Sequence, residues 1–192
     1  MNKKRKTCCT KNYPLIVIIL SFIFFYCTTY AQDVPIGTNG SHDKWAVGIS
    51  VSYPLGAQIY MVQLSYSVYQ SGDILFGVAY QDWKNDRGQT NAYTLLLGYR
   101  QFFWEGLHAE IELWPAYNPF ESSVDGKTYK GFELWTSLRV GYRFDFDIRA
   151  NSYFVLVQPS IGFGVARQNP WPCKHEDDGI TFEPQLIMGM RF

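Results

Sequence analysis

The sequence predicts an all-β protein, and two regularities support that prediction. Apolar and polar residues alternate with a period of two over eight separate stretches, and no stretch shows a convincing helical period. Aromatic residues make up 18% of the 192 residues, an enrichment that suits strands and membrane interfaces. Lys plus Arg and Asp plus Glu number 17 each. The chain therefore lacks the basic excess typical of a nucleic-acid-binding protein, and no nucleic-acid partner is expected.

The first 31 residues have the three parts of a secretory signal peptide. A basic region precedes an apolar segment, residues 14–26, and Thr29-Tyr30-Ala31 offers small residues at the outer two positions of a cleavage site. The apolar segment is about a dozen residues long, whereas a membrane-spanning helix needs about 20, so a retained anchor is the less favoured alternative. We therefore divide the chain into a signal peptide, residues 1–31, and one domain, residues 32–192. That domain keeps only Cys173, so no intramolecular disulfide is expected.

Eight strands are predicted in the domain, and each has one nearly continuous apolar face. Their ranges, in order, are 44–53, 58–69, 74–83, 91–103, 107–115, 131–144, 151–165 and 180–192. Counted at every second residue, the apolar faces run from Trp45 to Tyr53, Tyr60 to Val68, Ile74 to Tyr80, Tyr93 to Tyr99, Leu107 to Leu113, Phe132 to Tyr142, Tyr153 to Val165 and Ile180 to Phe192. Turn residues mark the connections, of which 54–57, 71–73, 104–106 and 145–150 are short and 84–90, 116–130 and 168–179 are longer.

The charged residues of these strands fall on the face opposite the apolar one. They are Arg100, Glu110, Glu112, Glu133, Arg139, Arg143, Glu183 and Arg191. Buried charges are costly unless they pair, and this set can pair. An antiparallel register around the 104–106 turn sets Arg100 opposite Glu110. These residues are therefore predicted to form a polar core inside a barrel whose apolar wall faces lipid, the reverse of a soluble lipocalin-like barrel. The alternative is a half-solvated sheet whose charges face water.

Together these patterns predict a closed, eight-stranded, antiparallel, up-and-down transmembrane β-barrel. A barrel of that size is just wide enough for side chains to fill its interior, so a plugged lumen is expected. Outer-membrane barrels keep short turns in the periplasm and longer loops outside. The loop lengths then place Phe192 at the periplasmic end and loops 84–90, 116–130 and 168–179 outside, where they could contact a surface ligand. The short connection 54–57 is an exception.

The signal peptide, the eight long strands and the terminal Met190-Arg191-Phe192 resemble the small outer-membrane barrels of the OmpA transmembrane-domain and OmpX type. The resemblance covers residues 32–192 as a pattern, without a unique sequence motif. It implies residence in the outer membrane of a Gram-negative bacterium, in contact with the lipid bilayer and lipopolysaccharide. It also implies that Phe192 is an assembly signal read by the barrel-assembly machinery. The role it implies is structural, in envelope integrity, or surface-interactive, without catalysis.

Two prolines support a second hypothesis. Pro159 and Pro184 lie on neighbouring predicted strands of a closed barrel, where a residue without an N–H group weakens the hydrogen-bonded ladder. A weakened seam could admit a lipid sideways, in a barrel that looks like the lipid A palmitoyltransferase, and the protein would then be a lipid-modifying enzyme. Candidate catalytic residues would be Ser122, Ser123, His175 and Asp177, which share only their placement on predicted outer loops. A third hypothesis is a secreted soluble barrel that binds an apolar ligand.

The last predicted loop is the part of the sequence that most resembles a metal site. Residues 173–178 combine one Cys and one His with acidic residues, which is a weaker pattern than known metal sites show. A solvated acidic loop is the favoured interpretation, so neither a metal nor a cofactor is expected.

Overall fold

The computed structural model describes residues 44–69, 71–86, 88–168 and 180–192. The predicted signal peptide and residues 173–178, with the candidates His175 and Asp177, lie outside these ranges. The strand segments of the described chain are β1 Trp45–Ser50, β2 Ile59–Tyr69, β3 Gly72–Asn85, β4 Gly88–Trp104, β5 Leu107–Tyr117, β6 Phe120–Ser122, β7 Thr128–Tyr129, β8 Phe132–Ile148, β9 Asn151–Gln158, β10 Ser160–Gln168, β11 Thr181–Phe182 and β12 Gln185–Arg191. One short helix, α1, spans Ser52–Gly56. No helix in this part of the chain is long and apolar enough to cross a membrane.

The strand segments form a closed, eight-stranded, antiparallel β-barrel, which confirms the predicted fold. β9 and β10 make the seventh barrel strand and β11 and β12 make the eighth, whereas β6 and β7 form a short hairpin between β5 and β8. Each barrel strand pairs with its neighbours along the chain, in up-and-down order. β12 pairs with β1, from Ala46 opposite Arg191 to Ser50 opposite Ile187, and this pairing closes the ring.

The two ends of the barrel differ. The connections β2–β3, β4–β5 and β8–β9 are tight and lie at one end, which we call the tight-turn end. Trp45 and Phe192 meet there, each N–H donating to the other residue's carbonyl oxygen, at 3.1 and 2.9 Å. Helix α1, the β3–β4 connection and the β6–β7 hairpin lie at the opposite end, which we call the loop end.

Side-chain exposure separates an apolar wall from an interior that contains both charged side chains and a cluster of buried apolar ones, among them Leu75, Leu96 and Leu156. On β4, Tyr93 and Leu95 are 60% and 58% exposed, whereas Arg100 is 1% exposed. Successive side chains of a strand point to opposite faces, so Arg100 lies inside the ring and the two apolar residues lie outside it. The exposed apolar residues around the wall include Trp45, Ile49, Tyr60, Val62, Phe76, Val78, Leu97, Leu113, Phe132, Val140, Phe144, Val157, Ile161 and Met188.

The first barrel strand is shorter than the sequence predicts. β1 ends at Ser50, and the following residues, predicted to be strand and turn, form α1. The Ser52 hydroxyl accepts a hydrogen bond from Leu186 N at 2.9 Å, so a side chain continues the contact with the eighth strand. Tyr53 then turns into the barrel and is buried. Pro54 suits the first turn of a helix because that turn requires no N–H group from it.

Two predicted loops contain strand segments. β3 continues to Asn85 and β4 begins at Gly88, so most of residues 84–90 belong to the wall. The predicted loop 116–130 contains the end of β5 and the β6–β7 hairpin. β6 pairs with the first residues of β4, which gives those residues a partner beyond the end of β5. Of the predicted loop 168–179, residues 169–179 lie outside the described chain.

Candidate functional site: an interior ion-pair network and an acidic cavity

Two glutamates of β5 meet two arginines from neighbouring strands at the centre of the barrel. Glu110 and Glu112 point inward from one strand, Arg100 comes from β4 and Arg139 from β8, and each is at most 2% exposed. Arg100 Nε donates to Glu110 Oε2 at 2.7 Å, and Arg139 Nη1 donates to Glu110 Oε1 at 3.0 Å. Arg139 Nη1 also donates to Glu112 Oε2. Arg100 lies opposite Glu110 in the register that the sequence predicts, and β8 sets Arg139 opposite Glu110 from the other side.

Neutral side chains donate further hydrogen bonds to the two carboxylates. Gln63 Nε2 donates to Glu112 Oε1 at 2.7 Å, and Trp114 Nε1 donates to Glu112 Oε2 at 2.9 Å. Gln158 Nε2 donates to Glu110 Oε1 at 3.3 Å. Buried carboxylates are tolerated when counter-charges and hydrogen bonds offset their desolvation, and both conditions hold here. The sequence shows these donors only as polar or aromatic residues on inward faces, so their pairing could not be read from it.

A second group of charges lies nearer the tight-turn end. Arg143 Nη1 lies 3.6 Å from Asp73 Oδ2, and Arg143 Nε lies 3.0 Å from Asp145 Oδ2. Arg191 Nη1 lies 3.9 Å from Asp145 Oδ1. The Arg143 guanidinium also lies over the ring of Phe102, 4.3 Å from its centroid. Both aspartates lie in predicted turns, 71–73 and 145–150, and are therefore absent from the predicted polar core. The inward alternation of β3 and of a longer β8 is the signal that would have identified them.

The loop end of the interior contains a cavity of about 630 Å³ next to the central network. Its aromatic lining consists of Tyr53, Trp83, Trp114, Trp135 and Phe182. The ring centroids of Tyr53 and Trp114 are 6.1 Å apart, and Arg139 Nη2 donates to Tyr53 Oη at 3.2 Å, so α1 is tied to the network. Glu133 and Glu183 also line this cavity. The predicted polar core is therefore spread over three levels along the barrel axis.

The two prolines lie opposite each other in the wall. Gln185 pairs with Gln158 on one side and β11 pairs with β10 on the other, so one register continues past Pro159 and Pro184. Next to the prolines, Glu183 N donates to the carbonyl oxygen of Ser160 at 2.9 Å, and Ser160 Oγ donates to the carbonyl oxygen of Glu183. The hydrogen bonds between the seventh and eighth barrel strands therefore continue on both sides of the prolines, because the two residues that lack N–H groups face each other.

The described chain assembles no hydrolytic group around the predicted serines. Ser122 ends β6 and is buried, and its Oγ accepts a hydrogen bond from Val124 N at 3.2 Å. Ser123 is exposed in the same turn, and the other two candidates lie outside the described residues. His108, the histidine that the structure describes, contacts Gln158 Oε1 in the interior at 2.9 Å. Within the described ranges, no group of three or more His, Cys, Asp and Glu side chains could hold a metal ion.

The β6–β7 hairpin is a defined surface feature of the loop end. Tyr129 Oη donates to Asp125 Oδ2, and Lys127 N donates to Asp125 Oδ1 at 3.2 Å. The hydrogen bond from Tyr129 lowers the pKa of the exposed Asp125 carboxyl below its ordinary value. Gln89 Nε2 on β4 donates to Glu121 Oε2 on β6 at 2.5 Å, which joins the hairpin to the wall.

These features define the class of the protein as a closed, eight-stranded, antiparallel β-barrel with an ion-paired interior. No protein-family model, curated protein or solved structure matches the chain. The functional interpretation therefore depends on the geometry of the wall, the interior and the loop end.

Proposed function

We propose that the protein is an integral β-barrel of the outer membrane of a Gram-negative bacterium, with a structural or surface-interaction role and a side-chain-plugged lumen. The observation that carries the proposal is the inverted arrangement of the side chains. The outer wall exposes residues such as Val78 and Leu95, whereas Arg139 and Glu112 are buried inside. A continuous apolar wall is unfavourable in water and favourable in a bilayer.

The height of the apolar wall suits a membrane. On β4, exposed aromatic residues stand at both ends of the wall, Tyr93 towards the loop end and Trp104 at the tight-turn end. About eleven residue steps of about 3.4 Å separate them, or about 37 Å along the strand. A strand tilt of about 40° reduces this to about 29 Å along the barrel axis, close to the apolar band and aromatic girdles of outer-membrane barrels.

The ion pairs in the interior support the proposal that the lumen is blocked. Arg100, Arg139, Glu110 and Glu112 are joined across three barrel strands and are almost inaccessible to water. An eight-stranded ring is just wide enough for side chains to fill it, and at the level of this network, beyond the loop-end cavity, they do. A role in transport through the lumen is therefore disfavoured, and a role in the wall or at the loop end is favoured.

The position of Phe192 at the tight-turn end supports the proposal that the protein is assembled as an outer-membrane protein. Phe192 is exposed beside Trp45 at the point where the ring closes, so its aromatic side chain is accessible from outside the barrel. In the proposed orientation this end faces the periplasm, where the barrel-assembly machinery would bind it. The β6–β7 hairpin would then face the outside, where lipopolysaccharide and any surface ligand would contact it.

Sided labelling of cysteine variants tests this proposal. Val124→Cys places a thiol in the exposed β6–β7 turn and Ala150→Cys places one in the exposed β8–β9 turn, both in a Cys173→Ser background. A membrane-impermeant maleimide should label the first variant in intact cells and the second only after permeabilisation. The protein should also resist carbonate extraction. Release by carbonate would refute membrane integration, and the opposite labelling pattern would refute the orientation.

We favour neither alternative hypothesis, although Pro184 lines the loop-end cavity. Lipid entry near Pro159 and Pro184 requires a weakened seam, but that seam keeps its hydrogen bonds through Glu183 and Ser160. A soluble barrel for an apolar ligand requires an apolar centre, but the centre is occupied by ion pairs. We therefore propose no enzymatic function.

A further inference from the structure

We propose that the loop-end cavity binds a small neutral saccharide, a ligand that combines an apolar ring face with several hydroxyl groups. The cavity of about 630 Å³ falls within the range of small-molecule sites, which is about 300–1,000 Å³. Gly56 and Ala57, at the end of α1, are exposed and line the cavity, so a ligand can reach it from the loop end. Binding there requires only the folded barrel and does not depend on its placement in a membrane.

Two indole rings of the cavity are free to contact a ligand. The ring of Trp114 is already engaged, because its centroid lies 6.1 Å from that of Tyr53 and 5.8 Å from Arg139 Cζ. Trp83 and Trp135 also line the cavity, and neither ring contacts another aromatic ring or a cation among the described residues. Flat apolar faces of this size favour a ligand that has a flat apolar face of its own.

Glycines of β10 determine the position of the Trp135 indole. A Cβ atom added to Gly162 would lie 2.6 Å from Trp135 Nε1, and one added to Gly164 would lie 3.5 Å from Trp135 Cε3. The indole therefore lies along the inner surface of β10, where there are no side chains to displace it. Because β10 covers one side of the ring and the ring lines the cavity, its other side is the one that a ligand can contact.

Polar side chains of the cavity supply hydrogen-bonding groups that the barrel itself leaves unused. Ser137 is 1% exposed, and its hydroxyl has no hydrogen-bond partner among the described residues. Thr90 Oγ1 donates to Asn118 Oδ1, and the Nδ2 group of this buried amide lacks a partner in the same part of the chain. Thr181 Oγ1 donates to Glu183 Oε1 at 2.9 Å, which orients that carboxylate as an acceptor. Buried polar groups are normally hydrogen-bonded, so these groups indicate a polar ligand.

The mixture of donors and acceptors selects the class of ligand. An amide N–H only donates, a carboxylate oxygen only accepts, and a hydroxyl does both. The hydroxyls of a saccharide can therefore bond each of these groups, while the C–H face of its ring lies against an indole. A hydrocarbon would leave the buried polar groups without partners, and a flexible polyol would have no flat face and would lose more conformational entropy on binding. The cavity should therefore prefer a pyranose ring to either of them.

Three kinds of compound test this preference. The methyl glycosides of glucose, galactose, mannose and N-acetylglucosamine keep the ring closed, cyclohexanol keeps a six-membered ring with one hydroxyl, and sorbitol keeps the hydroxyls without a ring. Each can be titrated into the protein purified in a detergent that has no sugar headgroup, with calorimetry and tryptophan fluorescence as readouts. We expect at least one glycoside to bind saturably with a Kd of about 1 mM or lower, and cyclohexanol and sorbitol to bind at least about tenfold more weakly. No saturable binding of any glycoside, or equal binding of cyclohexanol or sorbitol, would overturn the proposal.

Matched variants localise the binding. Ser137→Ala removes a hydroxyl that bonds no described residue, so it should weaken glycoside binding about fivefold and leave the urea midpoint of unfolding unchanged. Trp83→Leu should weaken binding about tenfold, whereas Trp83→Phe, which keeps a ring, should retain most of it. Asn118→Ala should also weaken binding, but Asn91→Ala, the same change on the outer face of the same end, should not. Parental binding in Ser137→Ala or in Trp83→Leu, or equal effects of the two asparagine variants, would overturn the proposal.

Discussion

Removal of the Arg139 charge alone should destabilise the barrel more than removal of Arg139 and Glu112 together. Arg139 bonds both Glu110 and Glu112, and these three side chains are fully buried. In Arg139→Met the volume of the side chain is largely kept, but Glu112 retains only the neutral donors Gln63 and Trp114. A buried carboxylate without its counter-charge costs about 3–5 kcal/mol, and we expect the free energy of unfolding to fall by that amount.

The double variant Arg139→Met with Glu112→Gln should lose only about 1–2 kcal/mol, because it leaves no unpaired charge and replaces an ion pair by neutral groups. Glu112→Gln alone should cost little, because Arg139 keeps Glu110 as its partner, so a double-mutant cycle should give a coupling energy of about 2–3 kcal/mol. A control cycle pairs Arg143→Met with Asp145→Asn. Their atoms are 3.0 Å apart, but the Asp145 side chain is 38% exposed, so a coupling below about 1 kcal/mol is expected.

Equilibrium unfolding in urea provides the measurement. Tryptophan fluorescence of the protein refolded in detergent or in vesicles reports the transition, and the free energy of unfolding follows by linear extrapolation. If Arg139→Met costs less than about 1 kcal/mol, or if the double variant is as unstable as the single one, the buried pair does not carry the stability assigned to it here.

Three further predictions concern the outer wall, the Phe192 side chain and a close contact at Gly141. Leu95→Arg on the outer wall should cost about 2–4 kcal/mol of unfolding free energy in vesicles, whereas Val124→Arg in the exposed turn should cost almost nothing. Phe192→Ala should lower the amount of folded protein in the outer membrane several-fold, as measured by heat-modifiable migration on gels. Gly141→Ala should cost about 1–3 kcal/mol, because its Cβ would lie 2.5 Å from Gln158 Cβ.

Each of these outcomes has a control or a result that would contradict it. Equal losses for Leu95→Arg and Val124→Arg would show that the wall does not face lipid. Phe192→Tyr keeps an aromatic ring and should assemble normally, and a defect as large as that of Phe192→Ala would exclude an aromatic signal. Gly56→Ala, where an added Cβ meets nothing within 4 Å, should stay within about 0.5 kcal/mol of the parent protein.

The parts of the fold that depend on local pattern could be predicted from the sequence. The tight β4–β5 turn fixes the register of its two strands, so the position of Arg100 opposite Glu110 could be derived from the place of that turn together with the alternation. Strand alternation also separates the wall from the interior, because it assigns every second residue to one face.

The parts that depend on tertiary contacts could not be predicted. Alternation assigns Glu133 and Glu183 to the inward face but does not give their level along the barrel axis, and both line the cavity. The α1 turn depends on contacts that Tyr53 makes with Trp114 and Arg139, which are distant in sequence. The long β3 and β4 strands depend on β6, a partner that no turn signal indicates.

The closing joint between Trp45 and Phe192 decides where foreign sequence can be attached. Residues appended after Phe192 would begin beside the two hydrogen bonds that complete the ring. The turn at residues 123–127 is exposed and takes part in no pairing of the barrel strands. An epitope tag or a displayed peptide is therefore better inserted between residues 124 and 125 than attached after Phe192, next to the hydrogen bonds that close the ring.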